Sequence, residues 1–328
     1  MIIRFFRSGF FSQYVTVLII SLIIWMPVFF SAPEVLVYPG FNPLYVLLAN
    51  LIAPFPLLAS ILSFFIVYIL AFFFNAILSN NQLQLRTGSV AMLVFVVYQA
   101  HSPHLTAFTP FLTGLPFVLG ALHSLLQLYS SKNATMTIFH ASFFAGLSAL
   151  FYFPFIVLFI AVYGALIITR VSSVREWIVP LIGFFAPLFF LATYYFLVDE
   201  LLLRFQELSR IVVGFGFHLP ALGLLEWAVY GLILIMFFMA LNWSAGSESD
   251  NSIGMRKRIS MLWLVFVVLI LSMGLDKGSA GSVGLLMLIP SVFTSYYLSF
   301  AKRLRWAQIF LVLLVCLVLA SHFKELLS

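Results

Sequence analysis

Residues 135–170 read TMTIFHASFFAGLSALFYFPFIVLFIAVYGALIITR, and His140 and Arg170 are their only basic or acidic residues. As one helix this stretch would extend roughly 54 Å, whereas the hydrocarbon core of a bilayer is roughly 30 Å thick. Pro154 starts a helix well but interrupts one badly, because proline lacks a backbone N–H. The stretch therefore predicts a membrane hairpin of two spans that meet near residues 151–154.

The composition extends this interpretation to the whole chain. Of its 328 residues, 64% are hydrophobic and 8% are charged, whereas soluble domains carry about 25% charged residues. So few charges cannot cover a water-facing surface, so we predict an all-α, polytopic bundle of transmembrane helices surrounded by the lipid bilayer. Cys316 is the only cysteine, which excludes an intrachain disulfide and a cysteine-based metal site.

The same apolar pattern predicts about eleven spans in one integral-membrane domain, residues 1–328; nine remain if the short third span and the fourth do not cross. We expect the first span to be retained, because it is longer than the apolar part of a typical signal peptide. The spans are expected at residues 14–30, 55–78, 89–99, 111–129, twice within 135–170, and at 178–198, 222–241, 259–275, 283–300 and 306–320.

Three connections have a character of their own. Residues 44–53 predict a short helix at the membrane interface. Residues 199–218 place apolar and charged side chains on opposite sides of a helix, which is typical of an amphipathic helix on the bilayer surface. Residues 242–258 are the most soluble stretch and predict a cytoplasmic loop.

The distribution of basic residues predicts the orientation. With the N-terminus inside and the C-terminus outside, twelve of the sixteen Lys and Arg residues lie on the cytoplasmic side, as the positive-inside rule requires. These twelve are Arg4, Arg7, Arg86, Lys132, Arg170, Arg175, Arg256, Lys257, Arg258, Lys302, Arg303 and Arg305. Short basic clusters at span ends fix topology and contact anionic lipid, so no nucleic-acid partner is expected.

Three sequence features occur in an order that resembles a known family. They are the opening MIIRFFRSGFFSQY, the hairpin HASFFAGLSALFYFPFIVLF and the segment REWIVPLIGFFAPLFFLATYYFL. Together they resemble a family of multi-pass inner-membrane proteins of Bacteroidota whose function is unknown. The resemblance implies a bacterial inner-membrane protein of the cell envelope and carries no catalytic residue.

A looser architectural likeness is to the class-C glycosyltransferases, which use lipid-linked sugar donors. The first outer loop of those enzymes carries an acidic residue and interfacial helices, and here Glu34 and residues 44–53 occupy that loop. The likeness implies Glu34 as a catalytic base at the outer leaflet. Those enzymes usually have a longer first loop with more acidic residues.

Three further residues are candidates for binding a substrate. Glu226 is an acid within a predicted span, where a carboxylate usually faces a cavity or a partner, and Arg210 is its expected partner. Arg210 also suits a lipid phosphate, although Arg204 and Arg210 have acidic neighbours with which they would simply pair. His101 and His104 are three residues apart and would share a metal ion if they lay on one helix face, but Pro103 predicts a turn between them. No cofactor and no metal are expected.

Three functions remain open. The first is a non-enzymatic envelope-assembly or scaffold component, favoured by the shortage of ionisable groups within the spans. The second is a glycosyltransferase-like enzyme that acts on a lipid-linked glycan at the outer leaflet. The third is a transporter, for which more buried charge and an inverted repeat would be expected.

Overall fold

The structure is a computed structural model that describes residues 2–35, 42–131, 133–171, 173–217, 223–247, 253–276, 280–302 and 305–327. Helices make up 83% of the described residues, which contain no strand. The helices are α1 (Ile2–Arg7), α2 (Ser12–Ser31), α3 (Pro43–Ile52), α4 (Pro56–Asn80), α5 (Val90–Gln99), α6 (Pro110–Gln127), α7 (Ala134–Phe151), α8 (Leu158–Thr169), α9 (Val174–Leu197), α10 (Leu201–Val213), α11 (Leu224–Ser247), α12 (Ile253–Leu275), α13 (Ala280–Leu286), α14 (Leu288–Phe300) and α15 (Arg305–Leu327).

The predicted all-α, polytopic architecture is confirmed. Within the described ranges, nine helical segments are long and apolar enough to cross a membrane. Two of the eleven predicted spans, the third and the sixth, are shorter helices: α5 has ten residues and Phe153–Thr169 has seventeen. The predicted alternative of nine spans omitted the third and fourth spans. In the structure the short segments are instead the third and the sixth, because the fourth, α6, has 18 residues and a hydropathy typical of a span.

The central hairpin breaks where the sequence predicts. α7 ends at Phe151, a 3-10 helix covers Phe153–Val157, and α8 follows at once. α7 packs against α6 on one side and α9 on the other. The contact with α9 is close because Gly146 and Gly183 bring the two backbones together, as small residues do between membrane helices.

Helix α5 lies at the centre of the bundle. All ten of its residues are buried, and it is surrounded by α2, α4, α14 and α15. Ten helical residues rise roughly 15 Å, which is about half the hydrocarbon thickness. The helix therefore crosses about half of the bilayer before its backbone becomes irregular.

A polar clamp holds the start of α5. The Gln84 side chain accepts from the backbone N–H of Ala91 at 2.8 Å and donates to Asn75 Oδ1 at 2.8 Å. The Ser89 hydroxyl donates to Gln13 Oε1 at 2.8 Å, and the Ser89 N–H donates to the Phe6 carbonyl at 2.9 Å. One free N–H at the helix start is thus satisfied, and α5 is tied to α1, α2 and α4.

The N-terminal helix α1 contacts the end of α14 on this same face. Arg7 Nε donates to the Leu298 carbonyl at 2.8 Å, and Arg7 Nη2 donates to the Ala301 carbonyl at 2.9 Å. Arg258 Nη1 donates to the Asn81 carbonyl at 3.2 Å. One face thus gathers several of the basic residues that are predicted to be cytoplasmic, and the orientation itself stays a prediction.

The connections differ partly from expectation. The short helix predicted at 44–53 is α3, and the amphipathic segment forms α10, whose Leu208 and Ile211 pack near Phe153. The soluble connection predicted at 242–258 is largely helical, because α11 continues to Ser247 and α12 begins at Ile253. Residues 248–252 and residue 218 lie outside the described ranges.

Candidate functional site

The backbone between α5 and α6 is irregular yet buried within the bundle. Of residues 100–109, only His104 is exposed, and Ala107 is partly so. Irregular backbone is tolerated at membrane depth only where protein or a water-filled cavity satisfies its polar groups. We call residues 100–109 the central link.

Side chains from other elements satisfy the carbonyls of the central link. Trp25 Nε1 and the Ser63 hydroxyl donate to the Thr106 carbonyl at 3.1 and 2.8 Å. The Tyr45 hydroxyl donates to the Phe108 carbonyl at 3.2 Å. Helices α2, α3 and α4 therefore hold the link in one conformation.

Two histidines bind carbonyls at the end of α5. His101 Nδ1 lies 2.6 Å from the Tyr98 carbonyl oxygen, and His322 Nε2 lies 2.9 Å from the Ala100 carbonyl oxygen. A carbonyl only accepts hydrogen bonds, so each of these ring nitrogens carries a proton. In the neutral rings, His101 Nε2 and His322 Nδ1 then bear free lone pairs.

Glu226 lies in the first turn of α11 beside these rings. Its Oε1 accepts from the Ser102 hydroxyl at 2.9 Å, and its Oε2 accepts from the Gly223 N–H at 3.0 Å. An acid at this position is also stabilised by the helix dipole, so a purely structural capping role explains part of the arrangement. Tyr230, one turn later, lies with its ring centroid 5.0 Å from that of His101.

These five side chains form one group, which we call the outer polar cluster. Its members, His101, Ser102, Glu226, Tyr230 and His322, come from the central link, α11 and α15. Three of its buried polar atoms have no hydrogen-bond partner within the described ranges: His101 Nε2, His322 Nδ1 and the Tyr230 hydroxyl. Buried polar atoms are normally paired, so these atoms need an explanation beyond packing.

Burial controls the charge of the cluster. The His101 ring is fully buried at the end of α5, and burial disfavours the charged form of an imidazole. The Tyr98 carbonyl and the Glu226 side chain favour a proton on the ring, whereas a charge on His322 would oppose it. The closed structure therefore favours a neutral His101 ring.

Of the predicted site residues, the structure brings only Glu226 into this cluster. Glu34, His104 and Arg210 are exposed. The expected pairing of Glu226 with Arg210 is wrong, because Ser102 and Gly223 hold the carboxylate. Arg204, not Arg210, is the paired arginine of α10: it bridges Glu200 and Glu207 at 3.0 Å each, and its hydrogen bond to Glu207 is the largest cause that raises its pKa.

Sequence reasoning missed Ser102, Tyr230 and His322, and it considered His101 only as a metal ligand. Tyr230 follows Glu226 by four residues, which puts both on one face of a helix, and this was the one available signal. His322 lies 221 residues after His101 and shows no local pattern. Within the described ranges, no group of three His, Cys, Asp or Glu residues is placed to hold a metal ion.

Comparison of the chain with known protein families, curated proteins and solved structures finds no match. The structure itself defines a multi-pass membrane protein with a polar cluster buried at the end of α5, the helix that crosses about half of the bilayer.

Proposed function

We propose that this chain is a transport protein of the bacterial inner membrane and that the outer polar cluster is its binding centre for a cation. The observation that carries the proposal is the convergence of two imidazoles, a carboxylate and a phenol at the C-terminal end of a buried half-helix. Discontinuous helices with such ends are typical of ion and substrate sites in transporters, since the terminal carbonyls carry partial negative charge.

Intramembrane carboxylates support the same proposal. They are costly in a bilayer, and they usually face a partner or a cavity in which they act. Glu226 is partly buried at the start of α11, so it connects the buried rings with the end of the bundle that is predicted to face outward. In this proposal Glu226 is the group that a cation from outside meets before it reaches His101 and His322.

The scaffold or envelope-assembly role inferred from sequence is the second candidate. Its specific support is α9, in which 22% of the spanning window is buried. Large apolar side chains such as Phe189 and Phe190 are exposed there, and either lipid or another envelope protein would cover them. The resemblance to an uncharacterised inner-membrane family is compatible with both candidates.

The glycosyltransferase-like role remains a proposal with its own test. It assigns the catalytic base to Glu34, which is exposed and therefore accessible to a lipid-linked substrate. Glu34→Gln and Glu226→Gln are compared for their effect on envelope glycans. Altered glycans in the Glu34 variant alone would favour this enzyme, and unchanged glycans in both variants would exclude it.

Transport is tested with the purified protein in proteoliposomes on a solid-supported membrane. Concentration jumps of H⁺, Na⁺ and K⁺ are applied, and the charge displacement is recorded. We expect a current for at least one of these cations in the wild type, lost in Glu226→Gln and retained in Glu34→Gln, the matched control. Absence of any current in the wild type, or equal currents in both variants, would refute the proposed role of the cluster.

A further inference from the structure

We infer that the outer polar cluster takes up one exchangeable proton, shared by His101, His322 and Glu226, and that this proton is the coupling ion of the transport. The existence of the proton site depends only on the geometry of the cluster. Its role as coupling ion rests on the proposed function.

The unpaired ring nitrogens are the first support. His101 Nε2 and His322 Nδ1 are basic sites that are buried and have no hydrogen-bond partner within the described part of the chain. Their opposite ring nitrogens are fixed as donors by the Tyr98 and Ala100 carbonyls. Each ring is therefore held in the tautomer that keeps one acceptor nitrogen free, and a proton fills such a site without requiring a cavity.

The surrounding charge is the second support. The Glu226 carboxylate and the carbonyl end of α5 both favour a positive charge on the rings. Helices α2, α4 and α14, which enclose α5, contain no Lys, Arg, His, Asp or Glu. Within the described ranges, the groups whose charge acts on His101 are Glu226 and His322. The Tyr230 ring also lies against His101, and the Tyr98 hydroxyl is hydrogen-bonded to Thr294 at 2.9 Å.

The same groups limit the uptake to one proton. A second positive charge would lie beside the first in a buried site, where like charges strongly disfavour each other. One proton instead neutralises the Glu226 carboxylate or forms an imidazolium beside it. In either arrangement the total charge of the cluster rises by one.

The different solvent exposure of the three side chains indicates the path of the proton. Glu226 is partly exposed, whereas His101 and His322 are buried. Water at the predicted outer end supplies the proton to the carboxylate. Within the described ranges no hydrogen bond joins this carboxylate to a free imidazole nitrogen, so transfer to the ring requires the central link to move. The Ser102 hydroxyl, 2.9 Å from Oε1, keeps the carboxylate beside the link. Because burial opposes a charged His101, we expect uptake to favour a more open arrangement of the central link.

Histidine-selective ¹⁵N NMR of the full chain in lipid nanodiscs tests the site, with His101 assigned by His101→Asn. At pH 7 we expect the Nδ1–H tautomer for His101 and the Nε2–H tautomer for His322. Glu226→Gln should lower the pKa of His101 by roughly one pH unit or more, because an attractive charge is removed. His322→Asn should raise it, because a competing positive charge is removed. The signal of the exposed His104 is the internal control and stays the same in every variant.

The opposite signs separate a shared proton from mere loosening of the fold, which would move the His101 titration the same way in both variants. Shifts of equal sign, or no shift, would overturn the proton site. If Glu226→Gln does not fold, His322→Asn and the tautomer pattern decide alone. The same variants are then tested for proton flux in proteoliposomes with an enclosed pH dye. If the His101 pKa shifts in opposite directions in the two variants but no cation is transported, the proton site is upheld and its coupling role is refuted. If a cation is transported but the His101 pKa does not shift, the proton site is refuted and the proposed transport function stands.

Discussion

The contact between α7 and α9 gives the sharpest test of the packing. In Gly146→Ala, the added Cβ would lie 3.0 Å from Pro187 Cγ and nearer still to the Phe184 carbonyl oxygen. Backbone cannot yield as a flexible side chain does, so α7 and α9 must separate. Overpacking of this kind costs about 1–3 kcal/mol, and the better helix propensity of alanine offsets at most about 1 kcal/mol. We expect a net loss of about 1–2 kcal/mol in the free energy of unfolding.

The measurement is reversible unfolding in mixed micelles of increasing SDS content, followed by tryptophan fluorescence. Gly231→Ala is the matched control, since Gly231 is also in a spanning helix but has no atom within 4 Å of the position of the added Cβ. We expect this control to be neutral or more stable by up to about 1 kcal/mol. Equal stability of the two variants would refute the close approach of α7 and α9.

Three other substitutions test the polar contacts. Gln84→Leu leaves the Ala91 N–H and Asn75 Oδ1 unpaired, so we expect a loss of about 2–4 kcal/mol in unfolding free energy; a loss below 1 kcal/mol would contradict the clamp. Trp25→Phe should cost about 1 kcal/mol, because the Ser63 hydroxyl still donates to the Thr106 carbonyl, and a loss near that of Gln84→Leu would mean that Trp25 alone holds the link. Arg204→Met should cost less than about 1 kcal/mol, since its ion pairs are exposed to solvent, and a larger loss would show that α10 is essential for folding.

The fold was largely predictable because its signals are local. The run of apolar residues and the position of Pro154 fixed the hairpin, and the opposed faces of residues 199–218 fixed α10. The brevity of α5 was visible in the sequence, but its central position was not. That position depends on contacts with α14 and α15, which lie about 200 residues later in the chain.

The site was predictable only where one residue was unusual by itself. Glu226 stood out as an acid in an apolar helix, whereas His101 and His322 gave no periodic or spacing signal. Charge alone suggested Arg210 as the partner of Glu226, and the structure provides the Ser102 hydroxyl instead. A hydroxyl partner cannot be inferred from charge, and distant pairs such as His101 and His322 require the three-dimensional packing.

The contact of Arg7 with the Leu298 and Ala301 carbonyls has a consequence for biosynthesis. Arg7 is synthesised 291 residues before Leu298 and 294 residues before Ala301, so this junction forms only after the chain between them has been made. Helix α5 is in the same position, because α14 and α15, which flank it, emerge late. Helix α5 therefore lacks its final contacts until α14 and α15 have been made, and the packing of these helices around it is a late step of assembly.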